Sequence, residues 1–401
     1  MTGTSLAERF FIDAMSPRFR EDPYPHYDGY RGDDPLLRAD ETVWLCLSHA
    51  EVTALTRHPK LSSNEARATT EQGQPERDES LSLLFMDPPD HTRLRALVSR
   101  AFTPKRTADL RPAITAIVAE LLEPIAGRTV DLVQAFAYPL PVRVICALLG
   151  VPAGDQAMFT EWSRMLARSL DPSVLGSAEL DAAIAEARRG MRGYLGELLA
   201  FRTEHPADDL LSALLAVRDA GDRISRDEVL ELALLLLVAG HETTVNLIGN
   251  GVLALLRHPD QLDLLCRRPD LVPNAVDELL RFDAPVQMAQ RIATEDLDLA
   301  GRRVRAGDEI MLVLGAANRD PAAFAEPGRL DVTRDARRHV SFGGGIHYCL
   351  GASLARLEAG LAFSALLGTF ELELAGAPAW RPTFTLRGLA ALPVRSTRCA
   401  R

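Results

Sequence analysis

The segment from Ser225 to His258 constrains the architecture more than any other part of the chain. Ser225-Arg226-Asp227-Glu228 has the S-x-x-E form of a capping box, in which the serine hydroxyl and the glutamate side chain reciprocally satisfy backbone N–H groups at a helix start. No proline interrupts the pattern until Pro259. At about 1.5 Å per residue, some thirty helical residues span roughly 45 Å, enough to cross an entire domain. Apolar residues fill nearly every position from Leu232 to Val238, so the helix has no solvent face there and is expected to be buried on all sides. The rest of the chain must therefore wrap around this helix.

The surrounding pattern is mostly helical. Alternation predicts a short hairpin at Pro35–Ser48, with Leu36-Leu37-Arg38 turning at Ala39-Asp40-Glu41 into Thr42–Leu47. Helical periodicity then predicts helices from about Asp90, Thr107, Val142, Gln156 and Glu179, and another near Asn274–Phe282. Glu65–Ser80 is polar and without period, which predicts a surface loop. Strand-like pieces follow at Leu297–Leu299, Arg303–Val304 and Glu309–Leu314, then a helix from about Cys349 to Leu367 and strand-like runs at Phe370–Leu374 and Thr383–Leu386. No repeat or Gly/Ser linker divides the chain. The fold class is mainly α with a minor β portion.

Composition narrows the function. A formal net charge of −10 argues against nucleic acid as the main partner, which needs a basic surface. Met1–Phe11 contains Glu8 and Arg9 and no signal-length apolar run, and Leu230–Gly240 is too short and too polar in its surroundings to span a bilayer. The expectation is a cytoplasmic protein. The five cysteines, Cys46, Cys146, Cys266, Cys349 and Cys399, are odd in number, widely spaced and form no CxxC pair, which disfavours a disulfide framework or a structural zinc site.

Only Cys349 has a chemical setting. It lies in Phe342-Gly343-Gly344-Gly345-Ile346-His347-Tyr348-Cys349-Leu350-Gly351. Glycines permit close backbone approach to a flat ligand. A cysteine at a helix start would have its thiolate stabilised by free N–H groups and the helix dipole. Two plainer readings are a glycine-rich turn beside a buried cysteine and a phosphate cradle, though the cradle lacks the Lys and Ser/Thr of a P-loop. The decapeptide resembles the haem-binding signature F-G-x-G-x-H/R-x-C-x-G of the cytochrome P450 family. That resemblance implies haem b held through Cys349, with Phe342, His347 and Gly351 in the haem-binding loop. It also implies a single domain over residues 1–401 forming a triangular prism of helices around a buried haem.

Three further segments resemble the family in its order. Ala239-Gly240-His241-Glu242-Thr243-Thr244 resembles the acid–alcohol motif, and by that resemblance Glu242 and Thr243 assist proton delivery during oxygen activation. An unpaired buried carboxylate would otherwise be costly, and Thr243 can bond a carbonyl one turn back. Glu278-Leu279-Leu280-Arg281 resembles the E-x-x-R pair, for which Arg329 in Glu326–Leu330 would be the third, structural member. His91 and Arg95 share a helical face, and the resemblance assigns them to the haem propionates together with Arg291 and His347.

The resemblance implies a monooxygenase that uses O2 to hydroxylate or epoxidise a small apolar substrate, with bacterial secondary metabolites favoured. Electrons would come from a ferredoxin and its reductase, since the chain carries no flavin or nicotinamide fingerprint; Arg93, Arg100, Lys105, Arg106 and Arg356 are candidates for the docking patch. By analogy Leu235, Val238, Ala239, Val286, Met288, Ala289, Thr385 and Leu386 line the substrate cavity, and Asn64–Phe85 forms a lid. A monomer is expected. Rival readings on the same chemistry are a haem-thiolate isomerase or dehydratase and a non-catalytic haem sensor; a helical binding protein without haem is a third.

Overall fold

The computed structural model describes residues 6–32, 34–69, 82–171, 176–219 and 222–399. The central helix runs Arg226–Arg257 without a break. Its capping box forms as the sequence predicts: Ser225 Oγ accepts from Glu228 N at 3.2 Å, and Glu228 Oε2 accepts from Ser225 N at 2.7 Å. His258 closes the helix and Pro259 starts the next. Of the 32 residues, 23 are buried. It is the one helix among the described residues long and apolar enough to cross a membrane, but 78% of its most apolar window is packed inside the protein.

Helices pack around it on several sides. Pro139–Leu149, Gln156–Ala167, Ala178–Glu204 and Ala352–Thr369 all contact it and contribute to one large apolar core. Buried Glu231 on the central helix accepts ion pairs from Arg188 and Arg192 on Ala178–Glu204, so that helix is tied by charge as well as by packing.

The β portion is small and peripheral. Leu37–Arg38 pairs antiparallel with Val43–Cys46, placing Leu37 opposite Leu45. Val43–Cys46 continues in parallel to Glu309–Leu312, which pairs antiparallel with Ala289–Ala293, and Leu61–Ser62 completes five strands. A second sheet joins Phe370–Leu374, Pro393–Arg398 and Thr129–Asp131. A hairpin of Ala379–Trp380 with Leu389–Ala391 lies near the C-terminus.

Several boundaries differ from the sequence reading. The helix after the cysteine loop begins at Ala352, with Gly351 as its cap, so Cys349 precedes it rather than sitting in its first turn. Thr383–Leu386 is not a strand; one isolated bridge joins Leu386 to Val286. The segment from Asn64 contains a 3-10 turn, Glu65–Arg67, capped by Asn64, and residues 70–81 of the expected lid lie outside the described residues.

Candidate active site

The cysteine loop is a closed turn held against the protein's own backbone. Cys349 N donates to Phe342 O at 3.0 Å, and Gly343 and Gly345 have φ of +68° and +64°. A Cβ at Gly345 would stand 2.7 Å from the Thr56 carbonyl oxygen, so backbone conformation and space both require glycine there. At Gly344 and Gly345, then, close approach serves packing on Thr56 and Arg57 as much as room for a ligand.

The Cys349 side chain keeps accessible surface, yet burial is the largest influence on its thiol and pushes its pKa up. The Gly351 N–H and the charges of Arg95 and Arg356 pull the other way. The lowering expected at a helix start is thus outweighed by burial. Among the described residues no three His, Cys, Asp or Glu side chains converge to hold a metal ion. Cys349 would therefore be the lone protein ligand of a metal whose other positions are filled by the cofactor itself.

Four bases converge beside this loop. The His91 and His347 rings lie 4.3 Å apart, and Arg95 Nη2 donates to the Tyr348 carbonyl at 2.6 Å. Burial, followed by the charges of His91 and Arg291, lowers the His347 pKa to about 3. Arg291 is buried and its pKa is lowered chiefly by burial. His91 is 1% exposed, and neither ring nitrogen has a hydrogen-bond partner. Buried polar groups are rarely left so. A dianionic group placed among these four would satisfy His91 and offset the charges of Arg95 and Arg291, which is what two propionates provide. The residues present fit haem.

The central helix is not buried all round. Leu235, Ala239 and Thr243, four residues apart, keep accessible surface, as do neighbouring Leu236 and Gly240. This is one open stripe on an otherwise enclosed helix. Thr243 Oγ1 donates to Ala239 O at 3.0 Å, the back-bond its position suggests. A Cβ at Gly240 would stand 3.2 Å from Ile145 Cδ1, so the small residue there gives room to the neighbouring helix. Val238 lies off the stripe and packs in the main core, and Met288 packs with Phe384 in the N-terminal aromatic core. Val286 and Ala289 are partly open, and Gln287 N donates to Thr385 O at 2.9 Å, zipping the two expected substrate segments together beside the Val286–Leu386 bridge.

Glu242 is fully buried and partnered, not bare. One oxygen lies 3.3 Å from Tyr138 Oη and 3.4 Å from His241 Nε2, and the other accepts from Arg381. Burial alone would raise its pKa, but the His241 hydrogen bond and the His241 and Arg381 charges outweigh it and hold the value at about 2. Sequence reading missed Arg381 and Tyr138. The need for a cation was legible in the buried carboxylate, but its identity was not.

Behind the cysteine loop, Glu278 and Arg281 form a bidentate pair at 2.7 and 2.8 Å, both fully buried. The third side chain is Arg334, 3.3 Å from Glu278, not Arg329. Arg329 offers only its carbonyl to Arg281, at 3.3 Å, while its side chain pairs with Glu326 at the surface. Arg281 also donates to the Asn318 carbonyl at 3.0 Å; the Asn318 amide in turn bonds Val340 N and Ser341 Oγ, each at 2.8 Å, immediately before Phe342. Arg356 pairs with Asp277 at 2.8 Å and covers the Phe342 ring. Of the bases expected to form a docking patch, Arg93, Lys105, Arg106 and Arg356 are thus each paired with an acid.

Comparison with known proteins agrees with this geometry. The Cytochrome P450 family model matches residues 37–265 and 269–396. The chain is 45% identical to the vitamin D(3) 25-hydroxylase of Pseudonocardia autotrophica, covering 95% of this chain and 96% of that protein. It is 40% identical to the 6-deoxyerythronolide B hydroxylase of Saccharopolyspora erythraea, covering 96% and 98%. The crystal structure of ligand-free CYP164A2 from Mycobacterium smegmatis superposes with a TM-score of 0.91 at 41% identity, over 96% of this chain and 99% of that one. The chain belongs to the cytochrome P450 family and is a haem-dependent monooxygenase.

Proposed function

We propose that this enzyme, acting as a cytoplasmic single-domain monomer, hydroxylates or epoxidises a bulky apolar secondary metabolite, with electrons from a ferredoxin and its reductase. The observation that carries the haem-site assignment is the set His91, Arg95, Arg291 and His347 gathered beside Cys349, with both His91 nitrogens unpaired. The substrate class is supported by the hydroxylases it resembles and by the apolar open stripe at Leu235 and Ala239. Exposed Ile346 (51%) and Tyr348 (42%) on the cysteine loop support docking of the electron donor there, more than unpaired charge does.

Cys349 would ligate the iron, and the four bases would hold the propionates. The haem, when bound, would supply oxygen activation, which thiolate ligation by Cys349 would promote by donating electron density. Phe342 shields the loop under Arg356, and Gly351 donates its N–H to the sulfur. Thr243 presents its hydroxyl on the open stripe, and the adjoining Glu242, held as a carboxylate by His241 and Arg381, would take part with it in proton delivery. Leu235, Ala239, Val286, Ala289, Thr385 and Leu386 would orient the substrate and exclude water.

Thr243→Ala should leave haem binding intact while reducing product formed per electron pair by about tenfold or more, the lower range for losing a positioned proton-transfer group. The check is NADPH consumption against product with surrogate redox partners. His91→Leu should weaken haem retention by roughly 10- to 100-fold, since a hydrogen bond to a charged group contributes about 1.5–3 kcal/mol; the rate of haem transfer to apomyoglobin measures it. The overall reading is tested by a compound screen following the iron spin state, then by product analysis under labelled O2. Product without label would exclude a monooxygenase.

A further inference from the structure

Helix Gln156–Ala167 packs on the central helix and runs into a 3-10 turn, Arg168–Leu170, that ends at Asp171. The Asp171 carboxylate is only 7% exposed, and it grips a loop near the other end of the chain. Its Oδ1 accepts from Phe384 N at 3.0 Å and from Thr385 N at 2.8 Å, while its Oδ2 lies 3.5 Å from Arg168 Nε. Thr385 Oγ1 donates to Leu170 O at 2.7 Å, a third bond between the same two segments. On its other side the loop is bound to the segment that follows Phe282. Gln287 N donates to Thr385 O and Arg387 N to Pro285 O, both at 2.9 Å, flanking the Val286–Leu386 bridge. The Phe384 ring packs 5.9, 6.1 and 6.0 Å from the rings of Phe10, Phe11 and Phe19. Thr385 therefore has its N–H, its carbonyl and its hydroxyl hydrogen all engaged by the protein. Two neighbouring amides of the loop depend on one oxygen of one buried side chain.

We propose that Asp171 is a positioning residue for the substrate: by holding Phe384 and Thr385 against the end of helix Gln156–Ala167, it fixes the gap between that helix and the Val286 segment and so sets the size of molecule the cavity accepts. The assignment rests on the monooxygenase reading, which puts the substrate beside Val286 and Thr385. Hydrogen bonds from amides to a carboxylate are stronger than those between neutral groups and are directional. The loop is therefore pinned at one distance rather than left to adapt, as apolar packing alone would allow. With its polar groups spent on the tie, Thr385 contributes shape to the cavity rather than a donor, which suits an apolar substrate.

Two measurements on the holoenzyme test the tie and its consequence separately. The first is amide hydrogen exchange of the peptide spanning Thr383–Arg387. In Asp171→Ala, exchange at Phe384 and Thr385 should quicken by roughly 10- to 100-fold, the loss of hydrogen bonds to a charged group. Asp171→Asn should exchange like the wild type, because its amide oxygen can still accept from both N–H groups. Asp171→Ser, whose shorter side chain does not reach both amides, serves should Asp171→Ala fold poorly. The second measurement is spectral titration with imidazole and with the much larger azole econazole. Relative to imidazole, econazole should bind Asp171→Ala about tenfold more tightly than it binds the wild type, the lower end of what pocket fit discriminates. Asp171→Asn should restore the wild-type ratio. A folded Asp171→Ala that exchanges faster, melts lower and still shows the wild-type ratio would reveal a merely structural tie and overturn the proposal, as would wild-type exchange in that variant. Absence of any azole-induced spectral shift in the wild type would instead overturn the haem reading, and the exchange rates alone would then decide the tie.

Discussion

Cys349→His is expected to bind haem yet lose monooxygenase turnover by at least about a thousandfold, equivalent to about 4 kcal/mol of barrier. An imidazole is neutral and donates far less electron density than a thiolate, so the push that favours O–O cleavage is removed. The rest of the pocket would persist, because the backbone bond from residue 349 to Phe342 O and the propionate bases do not depend on the sulfur. The ferrous carbonyl band should move from the thiolate position to that of a histidine-ligated globin. Two readouts from one sample make the result decisive. A variant that kept the thiolate-type band or native turnover would show that another residue holds the metal.

Glu278→Ala should destabilise the protein by about 3–5 kcal/mol, the usual effect of stranding a buried charge by deleting its partner. Arg281 would keep three carbonyl acceptors but lose its only bidentate anion, and Arg334 would lose its contact as well. With an unfolding entropy of about 2.1 cal/mol/K per residue, a 401-residue chain loses roughly 5 °C in Tm for 4 kcal/mol. Because Arg281 reaches the cysteine loop through Asn318 and Ser341, haem incorporation should fall along with stability. The paired change Glu278→Leu with Arg281→Met should recover much of the stability, since removing both charges ends the desolvation cost, but not the loop geometry. Calorimetry and the haem-to-protein absorbance ratio give the two answers. Wild-type values for Glu278→Ala in both would sink the supporting role.

Much of the site was legible because local rules govern it. The decapeptide around Cys349, the capping box at Ser225, the Glu278–Arg281 spacing and the Thr243 back-bond each depend on residues within a few positions of one another. The His91–Arg95 face follows from the four-residue helical repeat. The misplacements are equally instructive. Val238 and Met288, expected at the cavity by analogy, are 8% exposed and pack within apolar clusters whose members come from distant parts of the chain, an arrangement sequence neighbours do not reveal. The resemblance pointed to Arg329 as third member of the ion cluster; in the folded chain it is the Arg334 side chain that reaches Glu278, while Arg329 pairs with Glu326 at the surface.

The sequence alone therefore determined the buried central helix, the thiol and its glycine turn, and the identity of the buried carboxylates. Only the tertiary structure decided which cations meet those carboxylates, which stripe of the central helix stays open, and which polar groups are left without partners. Covalent neighbours and helical repeats are written in the order of residues. Ion pairs such as Glu242 with Arg381, across 139 positions, form because desolvation penalises an unpaired buried charge wherever the folded chain happens to bring a partner.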